Sequence, residues 1–325
     1  PGSAGFSSTY YNQGSLNNKG VEFSLNAQVI DSSSWKWSVS GNIGVNRNEI
    51  SDLGLLPADF GCLGERVGYY GNSLGDHFGV GHIFLAGEAP GLFYGYVTQG
   101  IVQKEDITEN GIKYIKQDGS VGYYQTVNKT TPVAGDVKYV DRNGDGVVDD
   151  NDRDIIGNPN PDFTYGFQTK VSWKSLSLSA SFNGVQGRDI LNVGNRYNNT
   201  PGTKSNNVTR KAFQNMWTDE NPSNLYPKST FVVQNMVMDR YVEDGSYLRC
   251  SDITLSYILP AKWTNKIGIK NTSVYASVKN AFVITDYSGY DPEVNSFAFD
   301  GLRPGVDMNS YPTPRSFVFG LNLTF

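Results

Sequence analysis

The chain closes on SFVFGLNLTF, residues 316–325, which alternate without a break. Phe317, Phe319, Leu321, Leu323 and Phe325 point to one side; Ser316, Val318, Gly320, Asn322 and Thr324 point to the other. Successive side chains of a strand face opposite sides, so this segment has one wholly apolar face and one small, largely polar face. With strong tilt, a strand of about ten residues spans the roughly 30 Å hydrocarbon core of a bilayer. A soluble fold must cover such a face with a second layer, whereas a membrane covers it with lipid.

The pattern recurs. Residues Val21 to Val29 alternate against Glu22, Ser24, Asn26 and Gln28; Trp35, Trp37, Val39, Gly41, Ile43 and Val45 alternate with polar or small residues. Phe163 to Trp173 on odd positions, Leu176 to Phe182 on even ones, and Val274 to Ile284 on even ones add three more sets. Leu248 and Cys250 begin another, which resumes as Ile253, Leu255, Tyr257 and Leu259 after a one-residue slip. That slip predicts a bulge at Ser251–Asp252. Most of these runs exceed the usual 5–6 residues of soluble strands. Aromatics at their ends (Trp35, Trp37, Trp173, Tyr257, Trp263, Phe325) suit the interfacial girdles of a membrane barrel. The fold class expected is all-β, a membrane β-barrel wall of about seven antiparallel strands. A terminal strand ending in Phe resembles those of Gram-negative outer-membrane barrels.

Composition agrees. The 325 residues are 38% hydrophobic and 13% aromatic, with a mean hydropathy of −0.40. A barrel wall is polar on alternate residues, so a polar average is compatible with it. No stretch approaches the apolar length of a membrane helix. A net charge of −5 argues against nucleic acid as a partner. Cys62 and Cys250 read as unpaired thiols, although an oxidising compartment permits a bridge. The chain starts at Pro1 in a Gly/Ser-rich stretch without a signal sequence, which reads as part of a longer or processed protein.

Short connections (DSSS before Trp35, KS after Trp173, LPAKWTNKIGIKN before Val274) alternate with long ones at about residues 49–161, 186–245 and 285–314. Outer-membrane barrels have short periplasmic turns and long extracellular loops. Seven strands satisfy that alternation and place Pro1 outside the cell. An odd number cannot close a bacterial barrel, so the wall needs a partner segment. GLFYGYVTQGIV, residues 91–102, looks strand-like but breaks the parity, which assigns it to the large extracellular region 49–161.

Within that region, residues 141–152 read DRNGDGVVDDND. Asp141, Asn143 and Asp145 take positions 1, 3 and 5 of a calcium loop, with Gly146 at the sharp turn. The Val147 carbonyl, Asp149 and Asp152 take positions 7, 9 and 12. Alternate side chains of a curled loop converge on one hard cation, and calcium suits them better than magnesium, which keeps more water. The alternative is a solvated turn. An ion here would be structural.

The blocks NKGVEFSLNAQVI, WKWSVSGNIGVNRNEI, GEAPGLFYGYVTQGI, GDVKYVDRNGDGVVDDNDRDIIGNPNPDFTYGF, GVQGRDILN, VEDGSYLRCSDITLSYILP, VYASVKNAFVITDYSGYDPEV and YPTPRSFVFGLNLTF resemble, in order, the C-terminal third of SusC/RagA-type TonB-dependent transporters of Bacteroidetes. The resemblance implies a 22-stranded outer-membrane barrel, with residues 1–325 supplying its C-terminal portion, strands 16 to 22. It implies an N-terminal plug and barrel portion, TonB coupling through that missing part, and a SusD-like surface lipoprotein as partner. It also implies import of oligosaccharides or peptides. A passive porin-like channel and a secreted calcium-stabilised glycan-binding β-module are the competing readings.

No hydrolase, P-loop or CxxC pattern is present, and no carboxylate pair has the setting of a glycosidase, so an enzyme is not expected. His77 and His82, in GDHFGVGH, read as polar loop residues. VTRKAFQNMW, residues 208–217, reads as a short amphipathic helix. Tyr94, Tyr96, Tyr123, Tyr124, Tyr197 and Trp217 have three open roles: substrate stacking, loop core or lipoprotein contact.

Overall fold

The computed structural model describes residues 14–54, 61–63, 66–74, 79–200, 207–229, 236–264 and 271–324. Seven long strands form one antiparallel sheet: β1 (Ser15–Asp31), β2 (Trp35–Asp52), β3 (Phe163–Trp173), β4 (Leu176–Gln186), β5 (Tyr247–Ile258), β6 (Asn271–Thr285) and β7 (Ser316–Thr324). Their spatial order is their chain order, a plain up-and-down meander. Lengths run from 9 residues in β7 to 18 in β2, long enough to cross a bilayer when tilted. Among the described residues no helix is long and apolar enough to do so.

Register makes the alternation two-dimensional. One row runs Trp35, Trp173, Leu176, Tyr257, Val274, Leu321; the next runs Trp37, Val171, Leu178, Leu255, Ala276, Phe319. A third runs Val39, Thr169, Ala180, Ile253, Val278, Phe317. All point outward, and large apolar side chains are bare there: Phe319 is 80% and Phe317 67% exposed. The opposite face carries Ser38, Lys170, Ser179, Thr254 and Ser277 in one row, and Ser40, Gln168, Ser181, Asp252 and Lys279 in the next. Lipid on one side and water on the other is the arrangement that satisfies both faces.

The predicted bulge is present. Asp252 pairs with Ser181 and Lys279, Cys250 pairs with Phe182 and Phe282, and Ser251 has no Cα partner in either ladder. The extra residue keeps Leu248 and Cys250 on the same outward face as Ile253 and Leu255. Cys250 is a buried free thiol of the wall, as expected. The Cys62 side chain, His77, Pro1 and Phe325 lie outside the description.

The long connections build a cap at one end of the sheet. Leu92–Tyr96, within the stretch assigned away from the wall, belongs to a separate five-stranded sheet and is wholly buried. Residues of all three connections share one core, with Phe93, Tyr114, Tyr124 and Tyr139 from the first, Leu191 and Met238 from the second, and Val306 from the third. The amphipathic helix forms at Arg210–Asn215, burying Ala212 and exposing Phe213. The reading of His82 as a polar loop residue is corrected: it begins the buried strand His82–Leu85, its Nε2 2.9 Å from the Pro304 carbonyl oxygen. Ile83 and Leu85, fully enclosed, carry it inside. Burial holds its pKa down at about 4, although the Pro304 hydrogen bond opposes that shift.

Candidate metal loop

The strand Val137–Tyr139 leads into the loop, and the strand Arg153–Gly157 leads out of it into the five-stranded sheet. Between them Val147–Val148 pairs in parallel with Thr126–Val127, burying Val148 and pinning the middle of the loop. The phenol of Tyr114 donates to the Asp141 carbonyl at 2.6 Å. Both ends of the loop are therefore fixed by the cap core. Gly146, at φ +86°, turns the chain where a side chain would be strained and would run into Gln125.

Asp141 and Asp152 are buried, at 2% and 0% exposure. Asp141 accepts from the backbone N–H of Gly144 at 2.6 Å and of Gly146 at 2.8 Å, one on each oxygen. Asp152 Oδ1 accepts from Arg142 and Asn143, and its Oδ2 from Asp149. Asn143, Asp145 and Asp149 each accept from the backbone N–H two residues on. Burial raises the Asp152 pKa against the pull of those three N–H groups, with Asp141 adding to the rise. Two buried carboxylates in one loop are an electrostatic cost that a cation would relieve.

The six predicted ligands offer only oxygen, which is the chemistry of a hard cation. The fold brings Asp141 and Asp152 to the interior of the loop. It does not draw Asp145 and Asp149 in with them: among the described residues, no three of His, Cys, Asp and Glu are gathered for an ion. Each carboxylate keeps lone-pair sites beyond its N–H bonds.

A buried ionic network near the cap end of β5 was not legible in the sequence. Arg249 is 4% exposed and meets Asp291 at 2.5 Å and Glu293 at 2.8 Å. Tyr247 donates to Glu293 at 2.6 Å. The β6–β7 connection is thereby tied down to β5. The aromatic candidates resolve differently: Tyr94, Tyr96 and Tyr124 are core, Trp217 is nearly so, and Tyr123 is 37% exposed.

No family model matches the chain. Curated relatives do. It is 31% identical over 334 residues to TonB-dependent receptor P26 of Formosa agariphila, covering 100% of this chain and 31% of that receptor. It is 32% identical over 323 residues to TonB-dependent receptor SusC of Bacteroides thetaiotaomicron, covering 97% of this chain and 27% of SusC. A solved structure of the RagAB peptide transporter superposes with a TM-score of 0.67 at 26% identity, over 100% of this chain and 31% of the other. The chain thus spans about a third of the length of the relatives it matches. Its seven-stranded sheet aligns with part of their outer-membrane barrel, and the chain belongs to the SusC/RagA family of TonB-dependent receptors.

Proposed function

We propose that this chain forms part of the wall and the extracellular cap of a TonB-dependent importer that takes oligosaccharides or peptides across the outer membrane. The two-faced sheet carries the reading. Its outward rows suit lipid, and its inward rows present hydroxyls and amides from Ser38, Ser40, Gln168, Ser179 and Thr254. Such groups exchange hydrogen bonds with water, sugars or peptide amides at little net gain, so a polar oligomer passes without being trapped. Plug, TonB contact and the remaining strands belong to the rest of the protein in this reading, and a SusD-like lipoprotein covers the cap. The match to a peptide transporter supports peptide as substrate, and the similarity to SusC supports the broader class. Burial of Tyr94, Tyr96 and Tyr124 removes three rings from any sugar platform.

Within the cap, Asp141, Asn143, Asp145, the Val147 carbonyl, Asp149 and Asp152 hold a calcium ion in this proposal, magnesium being the poorer fit. The ion supplies positive charge between carboxylates that otherwise repel. Its role is to stiffen the cap.

The test is uptake of labelled peptides and oligosaccharides by cells lacking the complete gene, complemented with it, and by a TonB-null strain. Uptake restored by complementation and abolished without TonB is expected. Uptake that persists without TonB overturns the importer and leaves a passive channel.

A further inference from the structure

The short-turn end of the sheet carries a feature that the importer reading leaves unused. Trp35 opens β2 and Trp173 closes β3; they are register partners, with ring centroids 6.0 Å apart and planes at 32°. Both stand outward and half-bare, at 48% and 47% exposure. Lys174 follows in the β3–β4 turn at φ +51°, and its backbone N–H donates to the Ser34 carbonyl at 2.8 Å. That bond locks the β1–β2 and β3–β4 turns side by side. The same conformation sets Lys174 Nζ 5.5 Å from the Trp173 ring centroid. Beyond the next short turn, Trp263 and Lys262 are exposed on the helical turn Ala261–Thr264.

Charge is segregated along the sheet normal to the membrane. Of 32 Asp and Glu, only Glu22, Asp31 and Asp252 lie outside residues 48–162, 186–246 and 285–315. At the short-turn end Asp31 is the one described carboxylate, and Lys36 pairs with it at 3.6 Å. No ion pair joins Lys174 or Lys262 to a described carboxylate. One ammonium group, that of Lys174, therefore stands beside a tryptophan ring where the apolar rows end, and a second, on Lys262, is exposed next in sequence to Trp263. Interfacial Trp sits at headgroup depth, and lysine there meets lipid phosphate. Trp35 and Trp173 lie on strands flanked by β1 and β4, so no missing wall strand covers them.

Resting on the barrel reading, we propose that Trp35, Trp173 and Lys174 form a binding site for an anionic phospholipid of the periplasmic leaflet, with Lys262 reinforcing the preference. The acyl chains run down the outward faces of β3 and β4, past Val171 and Leu178 toward Phe167 and Phe182. The two indoles flank the glycerol region, and Lys174 takes the phosphate. An uncharged or zwitterionic headgroup fits the rings equally well but gains less from the ammonium groups. Each lysine is worth about fivefold in preference for the anionic lipid.

The test uses the complete transporter in nanodiscs containing dibrominated phosphatidylglycerol or dibrominated phosphatidylethanolamine at equal mole fraction. Bromine quenches nearby tryptophan, and Trp173→Phe and Trp35→Phe identify the part of the signal that belongs to this pair. Stronger quenching by phosphatidylglycerol is expected, with the excess falling about fivefold in Lys174→Gln and retained in Lys174→Arg. Equal quenching by the two lipids, or an excess that survives Lys174→Gln, overturns the site and leaves the barrel intact. If neither lipid quenches, the wall does not face lipid and the barrel reading falls with it.

Discussion

Replacing Arg249 with Met probes how the β6–β7 connection is held. The guanidinium is 4% exposed between Asp291 and Glu293, and the Asp291 side chain is 5% exposed. Breaking a buried pair from one side costs about 3–5 kcal/mol, because the remaining charge stays desolvated. Glu293 is 36% exposed and can rehydrate. Asp291 keeps backbone N–H bonds from Glu293 and Thr313. Both facts favour the low end, about 3 kcal/mol, or roughly a hundredfold in local opening. Hydrogen exchange on the complete transporter reads this directly: residues 286–315 lose about a hundredfold in protection while β1 and β2 keep theirs. Arg249→Met combined with Asp291→Asn recovers part of the loss, since no charge is then stranded. The pH dependence has a definite sign. Burial would raise the Asp291 pKa, but hydrogen bonds from Glu293 and Thr313 and the Arg249 charge hold it below the usual carboxylate range. A depressed carboxylate pKa contributes stability that is present above the unfolded value and lost as pH falls through the folded one. The Asp291 contribution to wild-type protection is therefore flat down to about pH 4. In Arg249→Met burial acts with less opposition, Asp291 takes up a proton earlier, and acidification narrows the gap between variant and wild type. Unchanged exchange in Arg249→Met, or fully additive losses in the double variant, refutes the reasoning.

Face assignment is tested by a pair of arginines on β7. Phe319→Arg on the outward row costs about 2–4 kcal/mol and lowers the yield of heat-modifiable folded barrel, whereas Val318→Arg, one residue away and facing inward, folds near wild type; equal yields would show that the faces are not distinguished. Calcium chelation is expected to speed proteolysis within residues 137–157 of the cap, and Asp145→Ala with Asp149→Ala to reproduce that rate without chelator. Chelator-insensitive cleavage removes the ion from the account. His82, with its pKa lowered to about 4 by burial, contributes stability that is complete above about pH 6.5 and is lost as pH falls from there towards 4. His82→Gln should flatten cap stability across that window by up to about 3 kcal/mol, measured by hydrogen exchange in residues 79–96; an unchanged slope places the titration elsewhere.

The sheet was legible because most outward residues of the wall meet the same condition, Thr169 being an exception. Lipid demands an apolar side chain at each alternate position, so a period of two survives even across Ser251, where the slip in the sequence is the bulge in the ladder. The cap obeys no such uniform rule. Its strands are two to five residues long and several pair with distant partners: Leu191 lies parallel to Val306, and Arg153 opposite Tyr96. Burial there is decided one contact at a time, which is why His82 looked like a polar loop residue and is core, and why the sequence left Tyr94 open between core, substrate and partner contact. The metal loop falls between these cases. Its ligand spacing and its turn glycine are local, and the curl follows from them. Whether Asp145 and Asp149 close on an ion depends on a competition that spacing does not encode, because the backbone N–H groups of Val147 and Asn151 already satisfy one oxygen of each. The buried Asp152, held above its ordinary pKa by desolvation, gives the proposed ion its physical ground: a cation beside it would lower the cost of a charge the fold has already buried, and the chelation experiment decides whether Asp145 and Asp149 close on one.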